Sequence, residues 1–507
     1  MLTAGEKRNP RILIVTPEIT YLPKGMGNLS NRMRAKAGGL ADVSASLVAA
    51  LYRLGADVHV ALPNYRRMFH MDMHDLTQEE LDTYRSTLNA ERIHLAEDRV
   101  FHYRSRVYSS YVKDSHKISL AFQREVINNI LPRVQPDLIH CNDWMTGLIP
   151  ASARWFNIPS LFTLHNIHTQ EMTLEQIEDM GIDAADFWTN LYYGTVPESY
   201  ESTRSTVPID MLTSGIFASH FINTVSPTFL QEIVDGVHDF VPEQVRREVA
   251  FKQKAGCAKG ILNAPDAEFD PATDDALAAR YNAETVVDGK RANKAVLQER
   301  LAMAVDPDAP LLLWPSRLDP VQKGCQLLTE ILYDLINSYW DQKLQIAVIA
   351  NGDYQRHFLE IVEHHGLQSR IGVVDFDESL SHLGFAAADF MLMPSRFEPC
   401  GLPQMISPIY GTLPIVHDTG GIHDTVTHLS QDGETGNGFV FGVYDGDGLR
   451  WAIDQAMAFH SRPKALRTPV IQRVMTEAKA CFNHSVTAQA YIDLYETMID
   501  RPLVKGK

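Results

Sequence analysis

The chain alternates short apolar runs with stretches in which apolar residues recur every three or four positions. RILIVTPE (11–18) and DVHVAL (57–62) have the length of buried strands. Between these runs, five apolar residues follow steps of 3, 4, 4 and 3: Leu40, Val43, Leu47, Leu51 and Leu54. This spacing predicts an amphipathic helix that ends at Gly55. A strand, a helix and a strand in this order predict a parallel crossover unit.

The same alternation continues to about residue 420. The later apolar runs are DLIHCND (137–143), SLFTLHN (160–166), FINTVS (221–226), LLLWPSR (311–317), LQIAVIANGD (344–353), IGVVD (371–375), FMLMPS (390–395) and LPIVHDTGG (413–421). Helical stretches such as KGCQLLTEILYDLINSYW (323–340) lie between them. The pattern predicts an α/β protein with two doubly wound parallel sheets. Because ligands of such sheets bind beyond the carboxyl ends of the strands, the polar residues after each run are the candidates for chemistry.

The length and the local composition predict where the domains divide. A chain of 507 residues exceeds the roughly 250–300 residues that one hydrophobic core serves. The segment 250–305 is rich in Ala, Asp and Asn and lacks strand patterns until Leu311. We therefore expect one domain over 1–300, a second over 301–480 and a cleft between them, followed by a helical stretch over 481–507.

Composition and charge narrow the class of protein. The 46 basic and 63 acidic residues give a net charge of −17, which disfavours a general nucleic-acid binder but permits one anionic ligand. No apolar run reaches the roughly 18 residues of a membrane span, and the first residues lack the apolar stretch of a signal peptide. The five cysteines are far apart and form no C-x-x-C pair, so we expect reduced thiols and a cytoplasmic protein.

Three junctions combine glycine with the expected start of a helix, where free amides and the helix dipole favour an anion. They are KAGGLAD (36–42), SRFEPCGL (395–402) and TGGI (419–422). One such junction is usually only a tight turn, whereas three favour a phosphorylated ligand. SRLDPVQKG (316–324) adds Arg317 and Lys323 beyond a strand, which is either a solvated loop or a clamp on a diphosphate.

Two further strand ends carry polar side chains without a diagnostic motif. They hold His140, Asp143, Trp144, His165 and Asn166. A lone histidine is more often an interior residue than a catalyst, and the His165–His168 pair lacks the further ligands of a metal site. The segment GMGN (25–28) is an incomplete dinucleotide loop, which disfavours a nicotinamide-dependent oxidoreductase. We therefore expect no metal and no bound cofactor.

Taken in order along the chain, these motifs resemble those of the glycogen/starch synthase family. They are KAGGLADV (36–43), the strand end with His140 and Asp143, LHN (164–166), TVSPT (224–228), GILN (260–263), DPATD (270–274), SRL…QKG (316–324), SRFEPCGLPQ (395–404), YGTLPIV (410–416) and TGG (419–421). The resemblance implies a two-domain GT-B fold whose C-terminal helix crosses back to the first domain. It also implies metal-independent, retaining transfer of glucose from ADP-glucose, or UDP-glucose, to the non-reducing end of an α-1,4-glucan.

The resemblance also implies roles for particular residues. Among the catalytic residues, Arg317 and Lys323 would neutralise the leaving diphosphate, and Glu398 would bind the glucose hydroxyls. Asp143 and His165 would line the sugar side of the cleft. Donor-binding positions would be Lys36, Gly38, Gly39, Phe376 against the base, Cys400, Gly401, Leu402, Thr419 and Gly420. Because a thiol near a helix N-terminus has a lowered pKa, we expect Cys400 to be reactive and protected by ADP, or else to serve only in packing.

Several positions depart from the family pattern. One extra residue separates Arg317 from Lys323, Pro403 replaces a residue with an amide N–H, and Thr213 stands where a family lysine is expected. These departures leave two alternatives beside a glucan synthase. One is the same donor chemistry on a small-molecule acceptor, and the other is a catalytically silent homologue that binds glucan or nucleotide.

Overall fold

The computed structural model describes residues 8–27, 33–69, 92–109 and 111–504; Asn28 of the GMGN segment lies outside them. The chain forms two compact units, one of Met1–Ile261 with His484–Lys507 and one of Leu262–Asn483. Each unit is built on one larger parallel sheet covered by helices. The prediction of two doubly wound α/β domains is confirmed.

The first unit contains a seven-stranded parallel sheet in the order β3-β2-β1-β4-β5-β8-β9, as far as the described residues extend. Its strands are β1 (Arg11–Val15), β2 (Asp57–Pro63), β3 (Ile93–Ala96), β4 (Leu138–Asn142), β5 (Ser160–Leu164), β8 (Phe221–Thr224) and β9 (Ala258–Gly260). An antiparallel pair, β6 (Glu171–Met172) and β7 (Ile209–Asp210), lies apart from this sheet. The register joins Ile14 of β1 to Val60 of β2 and to His140 of β4.

The helices of the first unit follow the crossover pattern. They are α1 (Gly39–Leu54), α2 (Arg99–His102), α3 (Val112–Glu125), α4 (Leu131–Val134), α5 (Ile149–Trp155), α6 (Leu174–Glu178), α7 (Tyr200–Thr203), α8 (Met211–Ala218), α9 (Pro227–Asp235) and α10 (Glu243–Lys254), with α19 (His484–Ile499) near the end of the chain. A π-helical turn, Val126–Ile130, joins α3 to α4. Gly55 ends α1 as predicted: its φ of 87° is left-handed, and its amide donates to the carbonyls of Leu51 and Tyr52.

The second unit contains a six-stranded parallel sheet in the order β12-β11-β10-β13-β14-β15. The strands are β10 (Leu311–Trp314), β11 (Gln345–Ile349), β12 (Ile371–Val374), β13 (Phe390–Met393), β14 (Leu413–His417) and β15 (Phe439–Phe441). The helices are α11 (Val286–Arg300), α12 (Cys325–Ser338), α13 (Gln355–His364), α14 (Glu378–Ala387), α15 (Pro403–Ile409), α16 (Gly420–Thr425), α17 (Gly446–His460) and α18 (Lys464–Cys481). The sheet residues are almost wholly buried, as expected for parallel strands covered on both faces.

The division between the units lies at residues 261 and 262, which differs from the boundary expected near residue 300. Residues 262–300 belong to the second unit because they pack on its helices. The Tyr281 hydroxyl donates to the carbonyl of Tyr410 (2.8 Å), and the buried Lys290 ammonium donates to the same carbonyl (3.0 Å). An Ala- and Asp-rich composition does not reveal such long-range contacts, so the sequence pattern placed the boundary too late.

The last part of the chain returns to the first unit. Helix α19 packs against α1, where Ser46 Oγ and His484 Nε2 lie 2.9 Å apart. Its buried Tyr491 and Tyr495 reach polar groups on the sheet, including His140. These contacts give the end of the chain a fixed place on the first unit.

Candidate functional site

The loop after β10 holds both predicted cations of the second unit. Arg317 is exposed, and its Nη2 lies 3.4 Å from Gln322 Oε1. The Asp319 carboxylate accepts hydrogen bonds from the Val321 and Gln322 amides (2.9 and 3.2 Å), which holds this part of the loop in a turn. The Lys323 ammonium forms an ion pair with the Glu398 carboxylate. The structure therefore brings together two residues that lie 75 positions apart in the sequence.

Glu398 follows β13 and is 6% exposed. Its Oε2 accepts from both Lys323 and the Ser395 hydroxyl, the latter at 3.3 Å. Within the described part of the chain, its Oε1 receives no hydrogen bond. The Glu398 carbonyl accepts from the Gly421 amide (2.9 Å), which ties this loop to the third glycine junction. One carboxylate oxygen thus remains able to accept hydrogen bonds from a sugar.

The two glycine junctions of the second unit pack directly on each other. A Cβ at Gly421 would lie 2.2 Å from the Cys400 carbonyl oxygen, so only glycine fits there. Gly401 has a φ of 76°, and α15 begins two residues later at Pro403. Pro403 costs the helix nothing, because the first helical residue has no amide partner within the helix. Among the residues that the structure describes, the amides of Gly401 and Leu402 have no hydrogen-bond acceptor.

The third junction also begins a helix. Thr419 is extended, with a φ of −159°, and directly precedes α16. Gly420 is the first residue of α16 and has a φ of 45°, a conformation that favours glycine. Both residues are buried beside the loop of Glu398. The junctions therefore present backbone groups of two short helices to one region of the second unit.

The expectation of a reactive Cys400 thiol is wrong. Cys400 is 5% exposed, and burial raises the pKa of its thiol to about 12. A thiol in apolar surroundings stays protonated, and the protonated form is a poor nucleophile. The nearby start of α15 does not offset the loss of hydration. Packing is the role that the structure supports for this side chain.

Alkylation of the native protein with iodoacetamide at pH 8 should therefore spare Cys400. Cys481 is exposed, so we expect its peptide to be labelled first. ADP should leave the labelling pattern unchanged, because the buried thiol is already unreactive. Peptide mapping by mass spectrometry at several times measures the order of labelling. Rapid labelling of Cys400 that ADP slows would contradict this prediction.

Phe376 lies just beyond the carboxyl end of β12. Its ring is not covered by the fold, since the residue is 51% exposed. The Phe376 amide donates to Asn351 Oδ1 (2.9 Å), which fixes the backbone while the side chain stays accessible. An exposed aromatic ring at a strand end is suited to stacking on a nucleotide base.

In the first unit, Asp143 lies in a strained turn after β4. Its φ is 56° and its ψ is 178°, a conformation that is rare outside glycine. Its Oδ1 accepts from the His165 amide (2.8 Å), and its Oδ2 accepts from Asn166 Nδ2 (3.0 Å). Burial raises the pKa of the Asp143 carboxyl to about 7, and the nearby charge of Glu18 adds to the shift. The structure thus joins Asp143 and His165, as expected for parts of one site.

The His165 ring is a neutral group in this arrangement. Its Nε2 lies 3.0 Å from Asn142 Oδ1, which can only accept, so the proton is on Nε2. Burial lowers the pKa of His165 to about 3. Because Nε2 donates to Asn142, the other ring nitrogen, Nδ1, is an acceptor that can orient a hydroxyl group without adding charge.

The first glycine junction is held by a residue that the sequence patterns missed. The buried Glu18 carboxylate accepts from the amides of Ala37 (2.6 Å) and Gly38 (3.0 Å) and from the Tyr108 hydroxyl (3.0 Å). The Gly38 amide is therefore engaged within the protein. Glu18 is the last residue of RILIVTPE, and the rule that singled out other strand ends would have found it.

The cation of this junction has a partner as well. Lys36 Nζ lies 3.0 Å from Asp42 Oδ2, in the first turn of α1. The lysine side chain remains 39% exposed, so its ammonium can still reach a ligand. Gly39 begins α1 with an amide that, among the described residues, has no acceptor. Lys36 and Gly39 are therefore the members of this junction that remain open to an anion.

His140 serves the fold instead of the site. Its Nδ1 lies 2.6 Å from the Tyr495 hydroxyl, and its Nε2 lies 2.6 Å from Thr163 Oγ1. Burial lowers the pKa of His140 to about 3, so the ring is neutral. The contact with Tyr495 fixes α19 on the sheet.

Replacing Tyr495 with phenylalanine should lower the stability of the protein. The change leaves His140 Nδ1 buried without a partner, which costs about 1–3 kcal/mol. In a unit of this size, each kcal/mol lowers the unfolding temperature by about 2–4 °C. Thermal unfolding followed by circular dichroism measures the shift. Tyr103→Phe is the matched control, because Tyr103 is 67% exposed; equal shifts for the two variants would refute the role of the buried hydrogen bond.

Two further features of the described residues bear on the site. No three histidine, cysteine or acidic side chains among them come together as a possible metal site. No described helix is both long and apolar enough to cross a bilayer. Metal-independent chemistry stays a prediction.

Comparison with known proteins decides the family. Residues 11–243 match the model of the starch synthase catalytic domain, and residues 298–468 match that of glycosyl transferases group 1. The glycogen synthase of Exiguobacterium sibiricum is 32% identical, over 91% of this chain and 95% of its own. That of Cellvibrio japonicus is 33% identical, over 91% and 96%. The chain belongs to the glycogen/starch synthase family. It is a glycosyltransferase of the GT-B fold.

Solved structures agree with this family assignment. The catalytic domain of starch synthase IV from Arabidopsis thaliana, bound to ADP and acarbose, has a TM-score of 0.75 and is 25% identical; the match covers 97% of this chain and all of that one. Sucrose-phosphate synthase from Thermosynechococcus elongatus has a TM-score of 0.57 at 17% identity, which supports the fold alone. Membership of the synthase family excludes the oxidoreductase alternative.

Proposed function

We propose that this glucosyltransferase transfers glucose from ADP-glucose to the non-reducing end of an α-1,4-glucan, with retention of configuration and without a metal ion. The observation that carries the proposal is the Lys323–Glu398 pair beside the open amides of Gly401 and Leu402. This arrangement offers a cation and two N–H donors to a diphosphate. It also offers a carboxylate oxygen to the attached sugar.

The leaving group requires the greatest stabilisation. As the bond between the anomeric carbon and the phosphate oxygen breaks, negative charge builds on the diphosphate and positive charge builds on the sugar ring. Arg317 and Lys323 supply fixed positive charge for the phosphates, and the Gly401 and Leu402 amides bind the distal phosphate. Donors that are fixed before the reaction need no reorganisation, which makes such electrostatic stabilisation the largest contribution in many enzymes.

The remaining site residues hold the sugar and the base. Glu398 Oε1 accepts hydrogen bonds from glucose hydroxyls, and Thr419 and Gly420, at the neighbouring junction, bind the donor. Phe376 stacks on adenine. The starch synthase IV domain was solved with ADP bound, which supports ADP-glucose as the donor.

In the first unit, Asp143 and His165 contact the transferred glucose, and Lys36 with Gly39 contacts the donor. The Gly38 amide binds Glu18 and contributes by holding the junction in shape. The neutral His165 ring accepts a hydrogen bond from a sugar hydroxyl through Nδ1, because its Nε2–H donates to Asn142. A partly protonated Asp143 can act as donor or acceptor near pH 7. The cytoplasmic location expected from the cysteines stays a prediction.

The test of this function compares two donors and two acceptors. The protein is incubated with radiolabelled ADP-glucose or UDP-glucose, with glycogen, with a short maltooligosaccharide or with no acceptor. We expect label from ADP-glucose in glycogen, and we expect an α-1,4-specific amylase to release it. Label only in small products would favour a small-molecule acceptor, and no transfer from either donor would favour a silent homologue.

A further inference from the structure

A second basic site lies in a pocket at the amino-terminal edge of the second unit's sheet. Asp389 lines this pocket and directly precedes β13; its amide donates to the carbonyl of Leu311 at the start of β10 (2.9 Å). Residues of α11 and of the first turns of α18 line the sides. Arg317 and Glu398 follow the carboxyl ends of the same strands. The pocket is therefore at the opposite edge of the sheet from the proposed donor site.

The side chains of this pocket carry an excess of positive charge. Its lysine and arginine residues are Lys290, Arg291, Lys294, Lys464 and Arg467. Asp308 and Asp389 are its two carboxylates. Burial lowers the pKa of Lys290 to about 7, so with His460 neutral the excess lies between two and three positive charges near pH 7. The whole chain has a net charge of −17. A pocket with a net positive charge is therefore unusual for this acidic protein.

Ion pairs account for the inner part of the pocket. Lys294 Nζ lies 2.5 Å from Asp389 Oδ2, and His460 Nε2 lies 3.9 Å from the same oxygen. The Lys290 ammonium donates to Thr412 Oγ1 (2.7 Å) and to a backbone carbonyl. These inner groups are satisfied by the protein itself.

The outer part of the pocket is not balanced in this way. Asp308 is the partner of both Arg291 and Lys464, the latter at 2.9 Å. The half-buried Arg467 guanidinium makes no hydrogen bond and no ion pair with any described residue. Two of the outer cations therefore share one carboxylate, and the third has no partner among the described residues. An anion that bound here would meet donors that the protein does not use.

The position of Lys464 and Arg467 gives a second, independent reason to expect an anion. Both lie in the first turn of the 18-residue helix α18, which has no acidic residue there. The amino-terminal end of a helix carries partial positive charge, so cations in the first turn are unfavourable and an anion is favourable. A local rule that is broken in this way is typical of a functional site.

We propose that this pocket binds the phosphate group of a small molecule. Arg467, Arg291 and Lys464 supply the donors, because guanidinium groups match the geometry of phosphate and lysine adds a point charge. A phosphate group carries about −1.5 to −2 charges near pH 7, which offsets most of the excess. Apolar side chains lie beside the cations and suit an organic part of the ligand: Val286, Val287 and Ile471. This site is separate from the proposed function and does not depend on it.

Calorimetric titration of the full-length protein at low ionic strength tests this proposal. The two probes are inorganic phosphate and glycerol 3-phosphate. Arg467→Ala should weaken binding of the preferred probe at least about tenfold, because hydrogen bonds to charged groups contribute that much to affinity. Arg300→Ala is the matched control, since Arg300 ends the same helix as Arg291, is exposed and lies outside the pocket. Arg317→Ala tests for binding at the proposed donor site.

The outcomes separate this pocket from the donor site. Binding that Arg467→Ala weakens and that Arg317→Ala and Arg300→Ala leave unchanged supports the proposal. Tighter binding of glycerol 3-phosphate then identifies an organic phosphate, and tighter binding of inorganic phosphate identifies the free ion. Binding lost only in Arg317→Ala, equal binding by wild type and Arg467→Ala, or no binding of either probe overturns it. A failure of glucose transfer would leave this result unaffected.

Discussion

Replacing Glu398 with glutamine is expected to lower glucose transfer to glycogen about 10²-fold while ADP affinity stays the same. The carboxylate oxygen that faces no protein donor can accept from glucose hydroxyls, whereas an amide presents N–H donors on one side. If these contacts tighten as the sugar ring flattens towards an oxocarbenium ion, the loss falls on kcat. A 10²-fold loss corresponds to about 2.7 kcal/mol of barrier.

The experiment pairs two measurements on the same preparation, ADP affinity by calorimetry and transfer of label to glycogen. Glu363→Gln is the matched control, because Glu363 is exposed on α13 and its side chain has no partner among the described residues. We expect this control to keep wild-type transfer. Unchanged transfer by Glu398→Gln would remove this carboxylate from the site.

Replacing Lys323 with alanine is expected to lower kcat by at least about 10²-fold, the size of the effect when a donor aimed at developing charge is removed. The substitution should also lower the stability of the protein, because it removes the partner of the buried Glu398 carboxylate. A residue in a loop would not by itself lead us to expect such a loss. The Lys323 side chain is 12% exposed and that of Glu398 is 8% exposed. Leaving one member of such a pair unpaired costs up to about 3–5 kcal/mol.

A double variant separates catalysis from stability. In Lys323→Ala/Glu398→Gln, the neutral amide no longer needs a cation, so the unfolding temperature should recover while transfer stays low. Lys323→Arg should keep part of the activity because it keeps the charge. Arg356→Ala is the control for removing an exposed cation from the same unit. If the double variant recovered transfer as well as stability, Lys323 would act only by pairing Glu398.

The predicted strands are mostly right because parallel strands buried on both faces are continuous apolar runs. LLLW of β10 and FMLM of β13 can be read directly from the sequence and are buried throughout. The strands that the pattern missed are short or partly exposed. β9 has three residues, Ala258–Gly260, and none of them is fully buried. Such a strand forms because β8 offers a sheet edge, not because its own residues require it.

In the candidate site, too, some features can be predicted from the sequence and others depend on tertiary packing. Spacing and residue type identified Arg317, Lys323 and Glu398 as polar groups after strands, since parallel strands place such groups at one edge. The direct pairing of Lys323 with Glu398 depends on how two loops pack. The Cys400 pKa also depends on packing, because burial outweighs a nearby helix start. Sequence position reveals proximity to a helix but not the loss of hydration.

The sequence alone determined the fold class, the family and the sequence positions of the polar strand ends, because these follow from local apolar periodicity and from ordered motifs. The tertiary structure alone decided which of these groups meet and which are already occupied. The Glu18 carboxylate accepts a hydrogen bond from the Gly38 amide, and His140 is hydrogen-bonded to Tyr495. Residues 262–300 belong to the second unit. The physical reason is that hydrogen-bond partners and desolvation are set by residues distant in sequence, whereas strand and helix patterns are set by neighbours.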